Sequence, residues 1–395
     1  MKPRGSAGHG AGAPAGRGLR GVLAEIPEDV YSPLAHRVAA HPGPVVPLHV
    51  GDTWLDPPEP ARAEALRAEE HPGLHRYADT RGLPELVDAL VAKLRERNGL
   101  ACEREQVLVA AGATGALAAA VGSFAEPGDE VLILAPFWPL IRGIVTCLGA
   151  NPVEVPFYDR VESAEAAVAA VRERIGPRTR ALYVSSPSNP TGRVLPEAWL
   201  VALAELCREH DLWLLSDEVY EDLVYRGEPF SPGRVAPDRT FSVFSFSKSF
   251  GMAGWRVGYL CGPRDAVAAA RKLATHLFYQ APTAGQVAAL AALRAGDAFV
   301  ARARSLYRQV GEEVAAVLGL PPPEGSTFLF LDLSRWPASG GLWNFLGRCL
   351  DEGVLLAPGG ACGRDYAGFA RLCYTAAPPA EVLGAVERVA RILRG

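Results

Sequence analysis

Thr240-Phe241-Ser242-Val243-Phe244 runs directly into Ser245-Phe246-Ser247-Lys248-Ser249-Phe250-Gly251-Met252-Ala253-Gly254-Trp255-Arg256-Val257-Gly258-Tyr259. A short apolar strand pattern ends there, and at its end an amine stands among small hydroxyls, glycines and an arginine. The chain has four lysines among its 40 basic residues, so general surface charge does not explain this one. An amine that attacks a carbonyl needs a shielded site, a lowered pKa and an anion clamp, and this stretch holds the parts. Taken alone, the window also fits a solvated lysine at a strand-to-loop junction.

The same theme repeats upstream. Short apolar runs at Gln106–Ala110, Val131–Leu134, Arg180–Ser185 and Leu212–Ser216 predict strands. Between them lie helix-compatible segments, among them Pro84–Arg97, Gly112–Phe124 and Glu197–His210, with turns such as Pro127-Gly128-Asp129. Buried strands joined by helical crossovers predict an α/β domain with a mostly parallel sheet flanked by helices. In such sheets ligands bind outside the carboxyl ends of the strands, and each motif below falls at one of those ends. After a long helical pattern over Gly285–Leu318, Pro321-Pro322-Pro323 breaks the chain. Strands near Thr327–Leu333, Val354–Ala357 and Phe369–Tyr374 then predict a smaller α+β part.

At 395 residues, with 49% hydrophobic and 21% charged residues, the chain can bury a sizeable core in two or three domains. A net charge of -4 leaves no basic face for nucleic acid and no pull towards anionic lipid. The most apolar region, Val131–Leu148, is interrupted by two prolines, a glycine and Arg142, so no bilayer span is expected. The 7 cysteines are scattered without a C-x-x-C pair, as reduced thiols in a cytoplasm would be. His71 and His75 are separated by Pro72-Gly73 and do not share a helix face, so no metal site is expected. Residues 1–20 are rich in Gly, Ala, Pro and Arg and read as a disordered leader without the apolar core of a secretory signal.

Three further windows carry chemistry. Ala111-Gly112-Ala113-Thr114-Gly115-Ala116 joins a strand to a helix start, where free N–H groups and Thr114 suit a phosphate. It lacks the full dinucleotide and Walker patterns, and a small-residue turn alone is weak evidence. In Ser185-Ser186-Pro187-Ser188-Asn189-Pro190-Thr191-Gly192, Asn189 either belongs to a rigid turn or points its amide at a ligand oxygen. In Leu214-Leu215-Ser216-Asp217-Glu218-Val219-Tyr220, Asp217 is either a helix N-cap or an acid that holds a pyridine nitrogen protonated, with Tyr220 reaching the ring hydroxyl.

In combination these windows resemble the class I/II aminotransferases of the fold-type I pyridoxal phosphate enzymes, over the chain from about Val45 to its C-terminus. The resemblance rests on S-x-S-K-x-x-x-x-x-G-x-R-x-G-Y, on N-P-T-G and on D-E-V-Y, which are specific together. It implies pyridoxal 5'-phosphate as cofactor, and a Lys248 Schiff base whose amine shuttles the proton between the substrate Cα and the cofactor. Ser245 and Arg256, with Ala113 and Thr114 at the helix start, would hold the phosphate. Trp138 would stack on the ring, where otherwise it is a core aromatic; Asn189 and Tyr220 would contact the ring oxygen, and Asp217 the ring nitrogen. Arg371 matches the arginine that grips the substrate α-carboxylate, and Gly51 the glycine whose backbone approaches it. Tyr77 matches a tyrosine that reaches the phosphate of the neighbouring subunit, implying a homodimer.

The implied reaction moves an amino group between an L-amino acid and a 2-oxo acid by a ping-pong mechanism. Lyases, decarboxylases and cyclases share the fold and cofactor, and the site sequence does not separate them. A cofactor-sensing transcription regulator would need a basic winged-helix module, and only about forty residues precede Val45. The implied domains are residues 21–76 and 291–395 as the two parts of a small domain, and 77–290 as the large one. Thr80-Arg81 before Gly82, and Pro139 beside Trp138, depart from the commonest forms at positions that bear on substrate choice. Trp54, Phe278 and Tyr279 point to an apolar or aromatic substrate or, equally, to packing between subunits. No arginine can be assigned from the sequence to a distal carboxylate.

Overall fold

The computed structural model of the chain describes residues 32–334 and 340–395, together with Gly21, Leu23 and Ile26. The leader expected over residues 1–20 lies outside the described residues.

Seven strands form the large sheet: β1 (Val107–Ala111), β2 (Glu130–Ala135), β3 (Asn151–Pro156), β4 (Thr179–Ser185), β5 (Trp213–Asp217), β6 (Thr240–Ser245) and β7 (Val257–Cys261). Their order is β1-β7-β6-β5-β4-β2-β3, and the pairs from β3 to β6 are parallel. Only β7 runs against its neighbours β1 and β6. The sheet is buried on both faces because successive side chains alternate between two cores. Val131 and Ile133 face one core with Leu215 and Val243, while Leu132 and Leu134 face another with Leu182 and Leu214.

Helix α1 (Pro84–Arg97) starts with proline at its first turn and buries Leu86, Leu90 and Leu94 along one face. Helix α2 (Gly112–Phe124) follows β1 directly; α3 (Pro139–Cys147), α4 (Ala164–Arg172) and α5 (Glu197–Glu209) cover the sheet further along. A one-turn helix, α6 (Phe246–Ser249), carries Lys248, and α7 (Arg264–Leu277) follows β7. The helical pattern after Gly285 is not one helix but two, α8 (Thr283–Ala295) and α9 (Asp297–Leu318). They part at Gly296, where a Cβ would stand 2.4 Å from the Ala292 carbonyl and 2.5 Å from the Phe250 ring. Neither could give way, so glycine marks the break.

The second sheet is antiparallel, in the order β8 (Phe328–Asp332), β10 (Phe369–Cys373), β9 (Ala357–Pro358). It packs with α9, α10 (Gly341–Asp351) and α11 (Pro379–Arg394) around a separate core. Leu48, far away in sequence, is buried in that same core. The segment around it is pinned by backbone bonds: Val46 N–H to the Gly353 carbonyl at 2.9 Å, Cys373 N–H to the Leu48 carbonyl at 2.8 Å, and Trp54 N–H to the Thr375 carbonyl at 2.8 Å. Those bonds carry residues 49–51 across the mouth of the large sheet. Among the described residues, no helix is long and apolar enough to cross a membrane.

Candidate active site

The carboxyl ends of β1, β4, β5 and β6 deliver Ala111, Ser185, Asp217 and Ser245 to one edge of the sheet. At β1 the chain turns through Gly112 at φ +71° into α2, which has no side-chain N-cap. Its first-turn N–H groups therefore lack the partner that a capping side chain supplies. Arg256, itself left-handed at φ 53°, lays its guanidinium on Gly112: a Cβ there would stand 2.5 Å from Nη2. Gly258 allows the close approach from the other side, since a Cβ on it would lie 2.5 Å from the Ala113 nitrogen. Helix N–H groups, the Thr114 hydroxyl and a guanidinium thus gather where an anion would sit.

Ser245 ends β6 and caps α6, its Oγ accepting the Ser247 N–H at 3.1 Å. The hydroxyl hydrogen of Ser245 remains available to donate. Lys248, one turn further on, donates from its amine to the Gly51 carbonyl. Burial lowers the Lys248 pKa; Asp52 and Cys373 oppose that shift, and Arg256 and Arg371 add to it. An amine biased towards its neutral form is a nucleophile and a proton carrier near neutral pH.

Asp217 is buried, and burial pushes its carboxyl up to about 6. Two hydrogen bonds work against that rise, from the Tyr183 hydroxyl at 2.6 Å and from the Val219 N–H at 3.3 Å. A carboxylate held in so poor a solvent is stabilised by any cation brought to it. Tyr220 lies close by, edge-on to Phe328 at 6.0 Å, and burial drives its phenol pKa upward.

Across the cavity Arg371 is 1% exposed. It donates Nη1–H to Asn189 Oδ1 at 3.0 Å and Nη2–H to the His49 carbonyl at 2.8 Å, with its guanidinium carbon 4.6 Å from the centre of the Phe328 ring. The same ring excludes any side chain at Gly51, where a Cβ would meet Phe328 Cζ at 2.6 Å. His49 is held near pKa 4, first by burial and then by the Arg371 charge, so its ring is neutral beside the arginine.

One cavity of about 310 Å³ joins these groups. Of the residues expected from the sequence, Gly51, Ala113, Thr114, Trp138, Asn189 and Asp217 border it, and so do Tyr220, Ser245, Lys248, Arg256 and Arg371. Tyr77 does not; it is 82% exposed and meets Tyr279 edge-on at 4.9 Å. Trp54 is partly buried against the core to which α1 and α8 contribute, and Phe278 packs beside Gly115 on α2; neither borders the cavity. Sequence reasoning missed Tyr183 and the backbone of His49. The signal for Tyr183 was its place two residues before Ser185, a phenol amid Ala181, Leu182 and Val184. Register alone brings it to Asp217, since Tyr183 pairs with Leu215 and Ser185 with Asp217.

The donor set matches a phosphorylated pyridine aldehyde at each end. An anion cradle that a Cβ at Gly112 would fill, a buried carboxylate short of a cation and an amine of lowered pKa share one cavity.

Comparison with known proteins agrees. The sequence profile described as aminotransferase class I and II matches residues 43–389. The chain is 39% identical to the aspartate/prephenate aminotransferase of Thermus thermophilus, covering 88% of this chain and 91% of that protein. It is also 39% identical to the arginine–pyruvate transaminase of Pseudomonas aeruginosa, over 82% and 84% of the two chains. A double-mutant aspartate aminotransferase of Thermus thermophilus superimposes with a TM-score of 0.86 at 36% identity, covering 95% of this chain and 100% of that one.

Proposed function

From the premise that this chain belongs to the class I and II aminotransferases, we propose that it transfers an amino group from an L-amino acid to a 2-oxo acid in two half-reactions that share one site. Like its family, the enzyme depends on pyridoxal phosphate. When bound, the cofactor supplies an electron sink that makes the Cα–H of an amino acid acidic.

In this reading Arg256, Ser245 and the first-turn N–H groups at Ala113 and Thr114 hold the phosphate. Asp217 pairs with the ring nitrogen, and Tyr183 steadies its carboxylate. Asn189 and Tyr220 face the ring oxygen, and Trp138 covers one face of the ring. Arg371 takes the α-carboxylate of the substrate in its planar fork. Lys248 then removes the proton from the substrate Cα and returns it on the other side of the reaction. Its neutral amine suits the first task, and the ammonium it becomes suits the second. Gly51 keeps the approach to the α-carboxylate narrow, and the packed Phe328 ring beneath it excludes water from the grip.

What carries the proposal is the convergence of Lys248, Asp217, Arg256 and Arg371 on a single cavity. The proposal extends to a homodimer in which Tyr77 serves the neighbouring site. Its support is the exposure of Tyr77 away from its own cavity. Residues 77–290 would be the cofactor-holding domain, with 21–76 and 291–395 forming the smaller one; Leu48 inside the C-terminal core supports that division. Cys102, Cys207, Cys261, Cys349, Cys362 and Cys373 are free thiols, which supports a cytoplasmic setting.

The test is Lys248→Ala in cofactor-loaded protein. The variant should fold and retain cofactor but lose multiple turnover with every donor and acceptor pair. Sustained turnover by the variant would remove Lys248 from the mechanism and the proposal with it.

A further inference from the structure

Not all of the cavity is accounted for by these roles. Val50, Leu117, Leu140 and Val219 also border it. Leu117 is wholly buried on α2, Leu140 stands half-buried in the first turn of α3, and Val50 is 37% exposed beside Gly51. An apolar side chain left this open beside a cavity gains by being covered, at about 25 cal/mol for each Å² removed from water.

Among the described residues, the cations bordering the cavity are Lys248, Arg256 and Arg371, and each is engaged. Lys248 bonds the Gly51 carbonyl, Arg256 donates to the Ala253 carbonyl at 2.9 Å and is reserved for the phosphate in the reading above, and Arg371 is forked between Asn189 and His49. A carboxylate side chain seated against the aliphatic wall would lose its water and meet no described cation in exchange. A cationic side chain fares no better, because Asp217, the one acid among the described residues that border the cavity, is taken by the ring nitrogen in the reading above.

We propose that the amino donor carries an uncharged, apolar side chain, seated against Leu140 and Val50. The proposal rests on the aminotransferase reading and adds the substrate class to it. Leu140 and Val50 become specificity-determining residues, acting on the side chain and not on the reacting carbon.

The test uses cofactor-loaded wild-type enzyme and single donors without an acceptor, following release of the 2-oxo acid. Leucine, valine and phenylalanine are compared with aspartate, glutamate and arginine. At least one apolar donor should exceed every charged donor by about tenfold or more in apparent second-order rate, the discrimination that a small aliphatic contact provides. Equal or faster reaction of aspartate, glutamate or arginine would overturn the proposal while leaving the aminotransferase reading intact. Release of no 2-oxo acid from any donor would overturn both.

Leu140→Ala should cut the rate with the best apolar donor about tenfold and leave the charged donors unchanged. An equal fall for all donors would refute a role for Leu140 in selectivity. Val50→Lys, at an exposed position that tolerates the change, should raise aspartate and glutamate relative to the apolar donors. An unaltered ratio would mean that Val50 does not touch the side chain.

Discussion

Asp217→Asn should make the cofactor-free protein more stable while destroying its usefulness. Burial moves the carboxyl from its ordinary 3.8 to about 6. At about 1.4 kcal/mol per pH unit, that displacement amounts to roughly 3 kcal/mol. The sign follows from linkage. Below pH 3.8 the carboxyl is protonated in both folded and unfolded chains, and no penalty exists. As the pH rises to 6 the unfolded chain releases its proton freely while the folded one resists, so stability falls; above 6 the full cost is present. Asparagine keeps an oxygen for the Tyr183 hydroxyl but sets an amide nitrogen among donors, which returns about 1 kcal/mol. The net expectation at pH 8 is a gain of about 1–2 kcal/mol, shrinking as the pH is lowered to 5. Urea denaturation of cofactor-free wild type and variant at the two pH values measures it. Excess pyridoxal phosphate should then reverse the order, because only the wild-type carboxylate has a charge to give the ring nitrogen. A variant that is no more stable at pH 8, or whose gain does not shrink at pH 5, would refute the claim that Asp217 is held ionised at a cost.

Other substitutions probe the remaining contacts. Tyr183→Phe removes a hydrogen bond that favours the Asp217 carboxylate, so the acid limb of the kcat/KM profile should move up by about one pH unit; an unmoved limb would show that Tyr183 only fills space. Arg371→Lys keeps the charge but loses one arm of the fork, and kcat/KM should fall about 10- to 100-fold, mostly through KM; a change confined to kcat would argue against carboxylate binding. Gly112→Ala forces a side chain into a φ of +71° and against Arg256 Nη2 at 2.5 Å. Equilibrium dialysis should then show affinity for pyridoxal phosphate about tenfold weaker or worse, and undiminished binding would place the phosphate elsewhere.

The architecture is legible in the sequence where burial is two-sided. β2, β4, β5 and β6 are each built around a short apolar run, and each lies within a residue of where the pattern predicts it. β3 escapes the pattern because it is an edge strand, Asn-Pro-Val-Glu-Val-Pro, half-buried with proline near both ends. β7 is hidden inside the lysine motif, where Val257-Gly258-Tyr259 reads as ligand-binding sequence before it reads as strand. The polar site residues stand out because their chemistry is out of place at the ends of greasy strands. Arg371 does not stand out in that way; it becomes a site residue when β10 folds against the Leu48 segment and brings it to Asn189. Leu117, Leu140 and Val50 are harder still, since an aliphatic side chain facing a cavity looks the same in sequence as one facing a core. Tyr183 needs the register of β4 on β5, which local patterning does not contain.

In the proposed function, Lys248, Asp217 and Arg371 act together on an amino acid to release a 2-oxo acid and keep its nitrogen. The most direct measurement mixes cofactor-loaded enzyme with an excess of one amino acid and no acceptor, then counts products per site. One equivalent of 2-oxo acid is expected, with no free ammonia, and release should resume only when a second 2-oxo acid is added. Continuous release of ammonia, carbon dioxide or an eliminated side chain would contradict it and assign the site to lyase or decarboxylase chemistry.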